Sequence, residues 1–384
     1  MTLFKFLLLL PFLACLAACD SSSDSDDNNS DNNSTTTSDE ASSSQDDAVT
    51  TIENIDATNG WAYVNLASKS TVQSTDTWHI AFSATSTMTN TDTVTNAIVA
   101  SQSDFYSDGS ANSSVFTNAT ASSELEHLTA AYDLTDSSYT FATDTLTTAI
   151  NSGTTKWANY NSTTRAYDAN SDAWWVIRNS AADAFAKLNA TSISYTDYNS
   201  TTHQVSGVSI SLNLYIQSAT DSGFSTAVTT WTPSSTSDSG AFIKCYDIDS
   251  TAEVDCSTDG WDIKADIDYN SYKFNLLLNS GVSGSGSAGA STSYDSDGVN
   301  AIASGSDINS RSFVTDAMSN VYTDDATQWY EYNLTGQHKI WPNYRVYAVK
   351  VANGATYLMQ ITSYYNTADG TTGRYISIRY REVE

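Results

Sequence analysis

Basic residues, histidines, cysteines and prolines are all scarce in this sequence. It has 16 Lys and Arg against 44 Asp and Glu in 384 residues, so its formal net charge is −28. Because contact with phosphates requires a basic surface, this balance excludes a nucleic-acid partner. The four histidines stand in no recognisable arrangement with a nucleophile, and no Gly-x-Ser-x-Gly element occurs. We therefore expect a protein that is not an enzyme.

The shortage of proline favours sheet structure. Beyond the N-terminal stretch only Pro233 and Pro342 occur, so little interrupts strand pairing. Short runs rich in Thr, Val, Ile, Tyr and Trp alternate with polar residues, a pattern typical of strands. One stretch differs, because Ser123 and Glu126 have the spacing of a capping box, which predicts a short helix near 124–132. The sequence thus predicts an all-β, mainly antiparallel protein with a short helix in its first half.

The N-terminal region predicts export and anchoring. After Lys5 comes the apolar stretch "FLLLLPFLACLA", which has the length of a signal peptide and ends before Cys19. Residues 1–19 therefore suggest a lipoprotein signal with lipid on Cys19, the alternative being an ordinary signal with a chance cysteine. Residues 20–47 carry eight Asp, one Glu and no Lys or Arg, which predicts a disordered, self-repelling tether. We expect a protein anchored to a bacterial envelope membrane by its lipid.

Two cysteines remain once the signal is removed. Cys245 and Cys256 lie in a predicted hairpin, close enough to face each other across it. An exported protein meets an oxidising compartment, so we expect a disulfide with Cα atoms less than about 7 Å apart. The alternatives are two buried thiols or, with no His/Cys pair nearby at zinc spacing, a less favoured metal site.

Several short sequence motifs recur along the chain in the same order. Tyr63 and Trp78 return 183 positions later as Tyr246 and Trp261, and "KWANYN" at 156–161 meets "QWYEYN" at 328–333 after a shift of 172. A period of this size indicates a tandem duplication and not a solenoid. We therefore predict one β domain at 48–220, the more divergent of the two, and another at 221–384. Each is expected to form its own sheets, with Trp78, Trp261, Trp157 and Trp329 mostly buried.

Four pieces of the second half carry a family resemblance. They are "YDID…GWDIKADI", "LLNSGVSGSGSAGA", "WYEYNLTGQHKIWPNYRVYAVKVANGATYLMQITSYYN" and "GRYISIRY", which span most of 241–384. In this order they resemble the HmuY family of haem-binding lipoproteins. The first half is similar more weakly, with His79 where the pattern usually has the equivalent of Asp262. The resemblance implies two HmuY-like antiparallel β domains in tandem and an anchor at the outer membrane. It also implies binding of haem or a related porphyrin for iron acquisition, with an outer-membrane haem receptor as a further partner.

The resemblance also implies where haem iron would be held. The family position directly after the W-x-x-[FY]-x unit carries a histidine, but this chain has Leu334 there and Ser162 in the first half. Nearby candidates for axial ligands are His338 and Met318, since imidazole and thioether both ligate haem iron. The alternatives are a loop histidine bonded to the backbone and a methionine that fills the core. If neither ligates iron, we expect an envelope-displayed β module that binds a protein or a glycan.

Overall fold

The computed structural model describes residues 48–236, 239–324, 326–352 and 354–383. The predicted signal peptide at 1–19 with Cys19 and the predicted tether at 20–47 lie outside the described residues. Asp47–Glu384 form one compact unit. None of the helices in the described part of the chain has the length and hydropathy needed to cross a membrane.

The described residues form an all-β structure, which confirms the predicted fold class. The strands are Thr50–Asp56 (β1), Ala62–Asn65 (β2), Ser70–Val72 (β3), Ile80–Ser83 (β4), Ser86–Thr89 (β5), Val94–Ala100 (β6), Tyr106–Ser107 (β7), Ser110–Ala111 (β8), Thr145–Thr147 (β9), Ala158–Asn161 (β10), Ala166–Ala169 (β11), Trp174–Arg178 (β12), Phe185–Thr196 (β13), Gly207–Gln217 (β14), Thr229–Trp231 (β15), Ala241–Asp247 (β16), Ala252–Val254 (β17), Ile263–Asp268 (β18), Lys273–Leu278 (β19), Gly289–Ala290 (β20), Ala317–Ser319 (β21), Tyr330–Tyr332 (β22), Ile340–Pro342 (β23), Val346–Val351 (β24), Thr356–Tyr365 (β25) and Gly373–Val383 (β26). The α-helices are Ser113–Asn118 (α1), Leu125–Thr129 (α2) and Ser296–Asn300 (α3), and short 3-10 turns lie at Ser103–Phe105, Ala149–Asn151, Gly305–Asp307 and Ser310–Ser312.

Strands from both ends of the described chain share one sheet. Its order is β1-β26-β25-β24-β6, with Thr50 opposite Tyr380 and Val94 opposite Val351. A four-stranded sheet, β3-β2-β4-β5, accompanies it. The core of this part combines buried side chains from 55–94 with others from 322–380. We call residues 48–144 together with 317–383 the terminal module.

The middle of the chain forms a second pair of sheets, one of five strands and one of four, as in the terminal module. Its five-stranded sheet is β15-β14-β13-β12-β20, and its four-stranded sheet is β17-β16-β18-β19. The buried side chains of its main core all come from 149–290, among them Trp157, Trp175 and Trp231. We call residues 145–316 the central module.

This topology corrects the predicted domain division. The sequence predicted that 48–220 and 221–384 would each form their own sheets, and that prediction is wrong. Strands β1 and β6 of the first half pair with β26 and β24 of the second, whereas β14 and β12 pair with β15 and β20. Local alternation predicts which residues are strands, but both halves carry similar strands and so offer more than one set of partners. Trp157, Trp261 and Trp329 are buried as predicted, and Trp78 is only half-buried.

Two short strands join the modules. β9 pairs antiparallel with β21, and Leu146 stands opposite Met318, its counterpart at the shift of 172. A buried aspartate precedes each strand. Asp144 accepts from the Thr89 amide at 2.7 Å, and Asp316 accepts from the Leu278 amide at 2.9 Å. The two carboxylates thus fix equivalent strand ends in the two modules.

The segment that contains α1 and α2 covers one face of the terminal sheet. Arg381 donates from Nε to the Leu128 carbonyl at 2.9 Å and from Nη2 to the Ala130 carbonyl at 2.8 Å, and Arg379 donates to the Ala121 carbonyl. Carbonyls at the end of a helix carry partial negative charge, so they suit a buried guanidinium. The predicted helix is present as α2 at Leu125–Thr129, but without the capping box. Glu124 precedes it without a side-chain cap.

The predicted disulfide is present. Cys245 on β16 is bonded to Cys256 just beyond β17, with Cα atoms 5.3 Å apart. The bond closes the hairpin that also pairs Cys245 with Val254. It therefore tethers an edge strand of the central module.

Loss of this bond should lower the stability of the central module by about 2–3 kcal/mol, because a cross-link over a short loop removes unfolded-state entropy. The measurement is urea unfolding of the wild type against Cys245→Ala/Cys256→Ala, followed by circular dichroism. An unchanged midpoint would contradict the expectation.

Candidate functional site

A cleft of about 1000 Å³ lies where the two modules meet. The terminal module contributes residues 59–61 and 63 before and within β2, residues 83, 84, 86 and 87 around the β4–β5 turn, and residues 317–319, 323 and 324. The central module contributes Thr147, the loop at 281–286 and residues 315–316. The volume is in the range of small-molecule and cofactor sites.

The glycine-rich loop forms one wall because its backbone packs against neighbouring atoms. Gly281 has φ +58°, and a Cβ there would overlap the carbonyl oxygen of Asp316. A Cβ on Gly284 would overlap the side chain of Asn279. Across the cleft, Trp61 donates from its indole nitrogen to the Gly281 carbonyl at 2.8 Å. The glycines of the sequence "GVSGSG" are thus needed for close backbone approach.

Aromatic side chains and a methionine form the apolar part of the lining. Trp61 and Tyr63 line the cleft from β2 and the residue before it, and the Tyr63 ring packs edge-on against Trp78 at 5.1 Å between centroids. Burial raises the pKa of the Tyr63 hydroxyl, which therefore stays neutral at ordinary pH. Met318, from β21, also lines the cleft and is half-buried. Its thioether is the one sulfur donor among the described lining residues.

Hydroxyls and carboxylates form the polar part. Asp316 is 1 % exposed and accepts from the amides of Ala149 at 2.8 Å and Leu278 at 2.9 Å. Burial raises the pKa of this carboxyl, while hydrogen bonds from Ser283, Ala149 and Leu278 and the charge of Lys264 oppose the effect. Asp324 is exposed and accepts from the Ser319 hydroxyl at 2.7 Å. The Thr87 hydroxyl is buried and has no hydrogen-bond partner among the described residues.

His338 does not line this cleft. It lies on the exposed turn between β22 and β23 with φ +57°, and its Nδ1 is 2.8 Å from the Tyr332 hydroxyl. Its amide donates to Asn333 Oδ1 at 2.7 Å. Of the two predicted axial ligands, the structure therefore brings Met318 to the cleft and leaves His338 on a turn. Whether either ligates iron stays a prediction.

Leu334 and Ser162, the positions where the sequence resemblance led us to look for a ligand, have different surroundings in the two modules. Leu334 packs into an apolar cluster built around Phe105, Phe116 and Tyr344. Ser162 is exposed on the turn between β10 and β11. Neither position lines the cleft.

His79 in the terminal module and Asp262 in the central module have the same role in the structure. His79 Nδ1 accepts from the Leu66 amide at 3.1 Å, and Asp262 accepts from the Ile248 amide at 2.7 Å in the central module. Each side chain thus satisfies one amide in the loop after the preceding strand. Burial lowers the pKa of His79, which keeps it neutral as an acceptor.

Three carboxylates come together elsewhere, at Asp247, Asp249 and Asp262. Sequence reasoning did not single out this group. Asp262 also accepts from the Ser180 amide at 2.6 Å, and Asp247 accepts from the Asp249 amide at 2.9 Å. These hydrogen bonds stabilise the β16–β17 turn, so the three carboxylates have a structural role.

No family model and no curated protein matches the chain. One solved structure, described as "a putative HmuY_like heme binding protein" from Bacteroides vulgatus, is similar over 88 % of this chain and 92 % of that chain. Its sequence identity is 11 % and the TM-score is 0.31.

Proposed function

We propose that this protein binds haem or a related porphyrin in the cleft between its modules, as a lipid-anchored protein of the bacterial envelope that serves iron acquisition. The observation that carries the proposal is the joint presence of Met318, Trp61 and Tyr63 in one cleft of about 1000 Å³. Aromatic walls suit a flat apolar ligand. The sequence resemblance of 241–384 to the HmuY family adds to this argument.

One residue of the lining could hold the iron of such a ligand. Met318 would hold the iron through its thioether, a ligand type that haem proteins use. Bound haem would supply an iron centre for transfer. Trp61 and Tyr63 would form walls of the space that is available to the macrocycle. The lipid on Cys19 would keep the protein at the outer membrane, where a haem receptor could accept the cargo. We assign no catalytic step to the chain.

A second candidate is an envelope-displayed module that binds a glycan in the same cleft. Serine and threonine hydroxyls, Asp316 and Asp324 line it beside Trp61 and Tyr63. Hydroxyls and carboxylates next to an aromatic face could hydrogen-bond and stack on a neutral sugar. This candidate needs no iron ligand.

A haem titration of residues 48–384 separates the two candidates. We expect a shifted Soret band that saturates at a single haem per chain, in the ferric or the ferrous state. The fragment contains every described element, so its fold is that of the whole unit. No spectral change in either redox state would reject haem binding, and binding on an array of neutral glycans would then support the second candidate.

A further inference from the structure

The charge of the cleft restricts the part of a ligand that can enter it. Among the described lining residues, Asp316 and Asp324 are acidic and none is Lys, Arg or His. Asp316 is almost fully buried and Asp324 stands at the surface. A ligand carboxylate inside the cleft would meet like charge and lose its water.

Lys264, a cation that acts on Asp316, has another contact. Lys264 acts on Asp316 electrostatically, but its ammonium lies 4.7 Å from the centroid of the Trp261 ring. Neither Lys264 nor Trp261 is among the residues that line the cleft. A second buried anion would therefore meet no Lys, Arg or His side chain among the described residues that line the cleft.

The polar groups that remain suit an uncharged ligand. Ser83 and the exposed Ser86 line the cleft with their hydroxyl-bearing side chains. A hydroxyl can donate to or accept from a neutral group without the desolvation cost of an ion pair. The cleft thus combines acceptors and neutral donors with aromatic surface.

Building on the proposed function, we infer that the cleft accepts the uncharged, planar part of a porphyrin and excludes carboxylates, which stay outside in solvent. Its ligand class is accordingly a neutral macrocycle, or a porphyrin whose acidic groups point away from the protein. Anionic ligands of similar size that must bury their charge are rejected.

The test compares protoporphyrin IX with its dimethyl ester, both titrated into residues 48–384 at low salt with the same cosolvent. We expect the ester to bind at least as tightly as the diacid, because it loses no favourable charge contact. Salt should tighten binding of the diacid and leave the ester unaffected, since screening weakens repulsion.

A matched pair of variants tests whether the charge effect on diacid binding arises in the cleft. Ser86 is exposed at the cleft and Ser200 is exposed on a turn of the central module that does not line it. Ser86→Lys should tighten diacid binding about tenfold relative to ester binding, and Ser200→Lys should change neither. Tighter binding of the diacid by tenfold or more in the wild type would overturn the inference alone. Binding of haem but of neither porphyrin would also overturn the inference alone, whereas binding of none of the three would overturn the proposed function with it.

Discussion

Residues 48–220 and residues 221–384 should each fail to fold when produced alone, and should assemble into the native structure when mixed. The first fragment holds β1 and β6 but lacks the strands β26, β25 and β24 that lie between them in the sheet. The second holds β15 and β20 but lacks β14, β13 and β12. Each fragment alone would expose half of two cores and several unpaired strand edges.

The contiguous segment 145–316 provides the matched control. It contains all five strands of the central sheet and the buried side chains of its core. We expect this segment to give a dispersed amide NMR spectrum and a cooperative thermal transition on its own. The fragment 48–220 should give neither until 221–384 is added. A folded monomer of 48–220 alone would contradict the interleaved topology.

Asp316→Ala should lower the free energy of unfolding by about 2–4 kcal/mol. The substitution removes the acceptor for two amides, those of Ala149 and Leu278, and Asp316 is 1 % exposed. A buried amide without an acceptor costs more than the bond it loses, because its hydration in the unfolded state is not replaced. Urea unfolding monitored by tryptophan fluorescence measures the effect.

Asp324→Ala is the control for that substitution. Asp324 lines the same cleft but is exposed and bonds a surface hydroxyl, so its loss should change the unfolding free energy by less than about 0.5 kcal/mol. Equal effects from the two substitutions would show that Asp316 does not stabilise the ends of the strands it contacts.

Local patterns predicted the elements well. The alternation of β18, the hairpin closed by Cys245 and Cys256, and three buried tryptophans of the repeated landmarks all follow from short-range sequence. Each depends on residues that are close in the chain or on the amphipathic period of one strand. Helix α2 was predicted from spacing alone, but Ser123 bonds to Thr120 and Glu124 and does not cap it.

Strand partners and the cleft depend on distant residues. Strand β1 pairs with β26 although more than 300 positions separate them, and β14 carries the same alternation as β26. Nothing in either pattern selects the partner, since a strand specifies its face but not its neighbour. The cleft combines Trp61, Gly281 and Met318 from three separated stretches. Sequence singled out Met318 through the family resemblance and missed Asp316, whose role follows from the topology.

The most direct test of the central claim compares the haem affinity and spin state of Met318→Leu with those of His338→Ala. Leucine preserves the volume of Met318, which lines the cleft, and removes only the sulfur. We expect Met318→Leu to weaken haem binding about tenfold or more and to abolish any thioether signature in the near-infrared magnetic circular dichroism spectrum. His338→Ala should leave both unchanged. Full retention of binding and spectrum in Met318→Leu, with their loss in His338→Ala, would place the haem on the exposed turn between β22 and β23 and contradict a site between the modules.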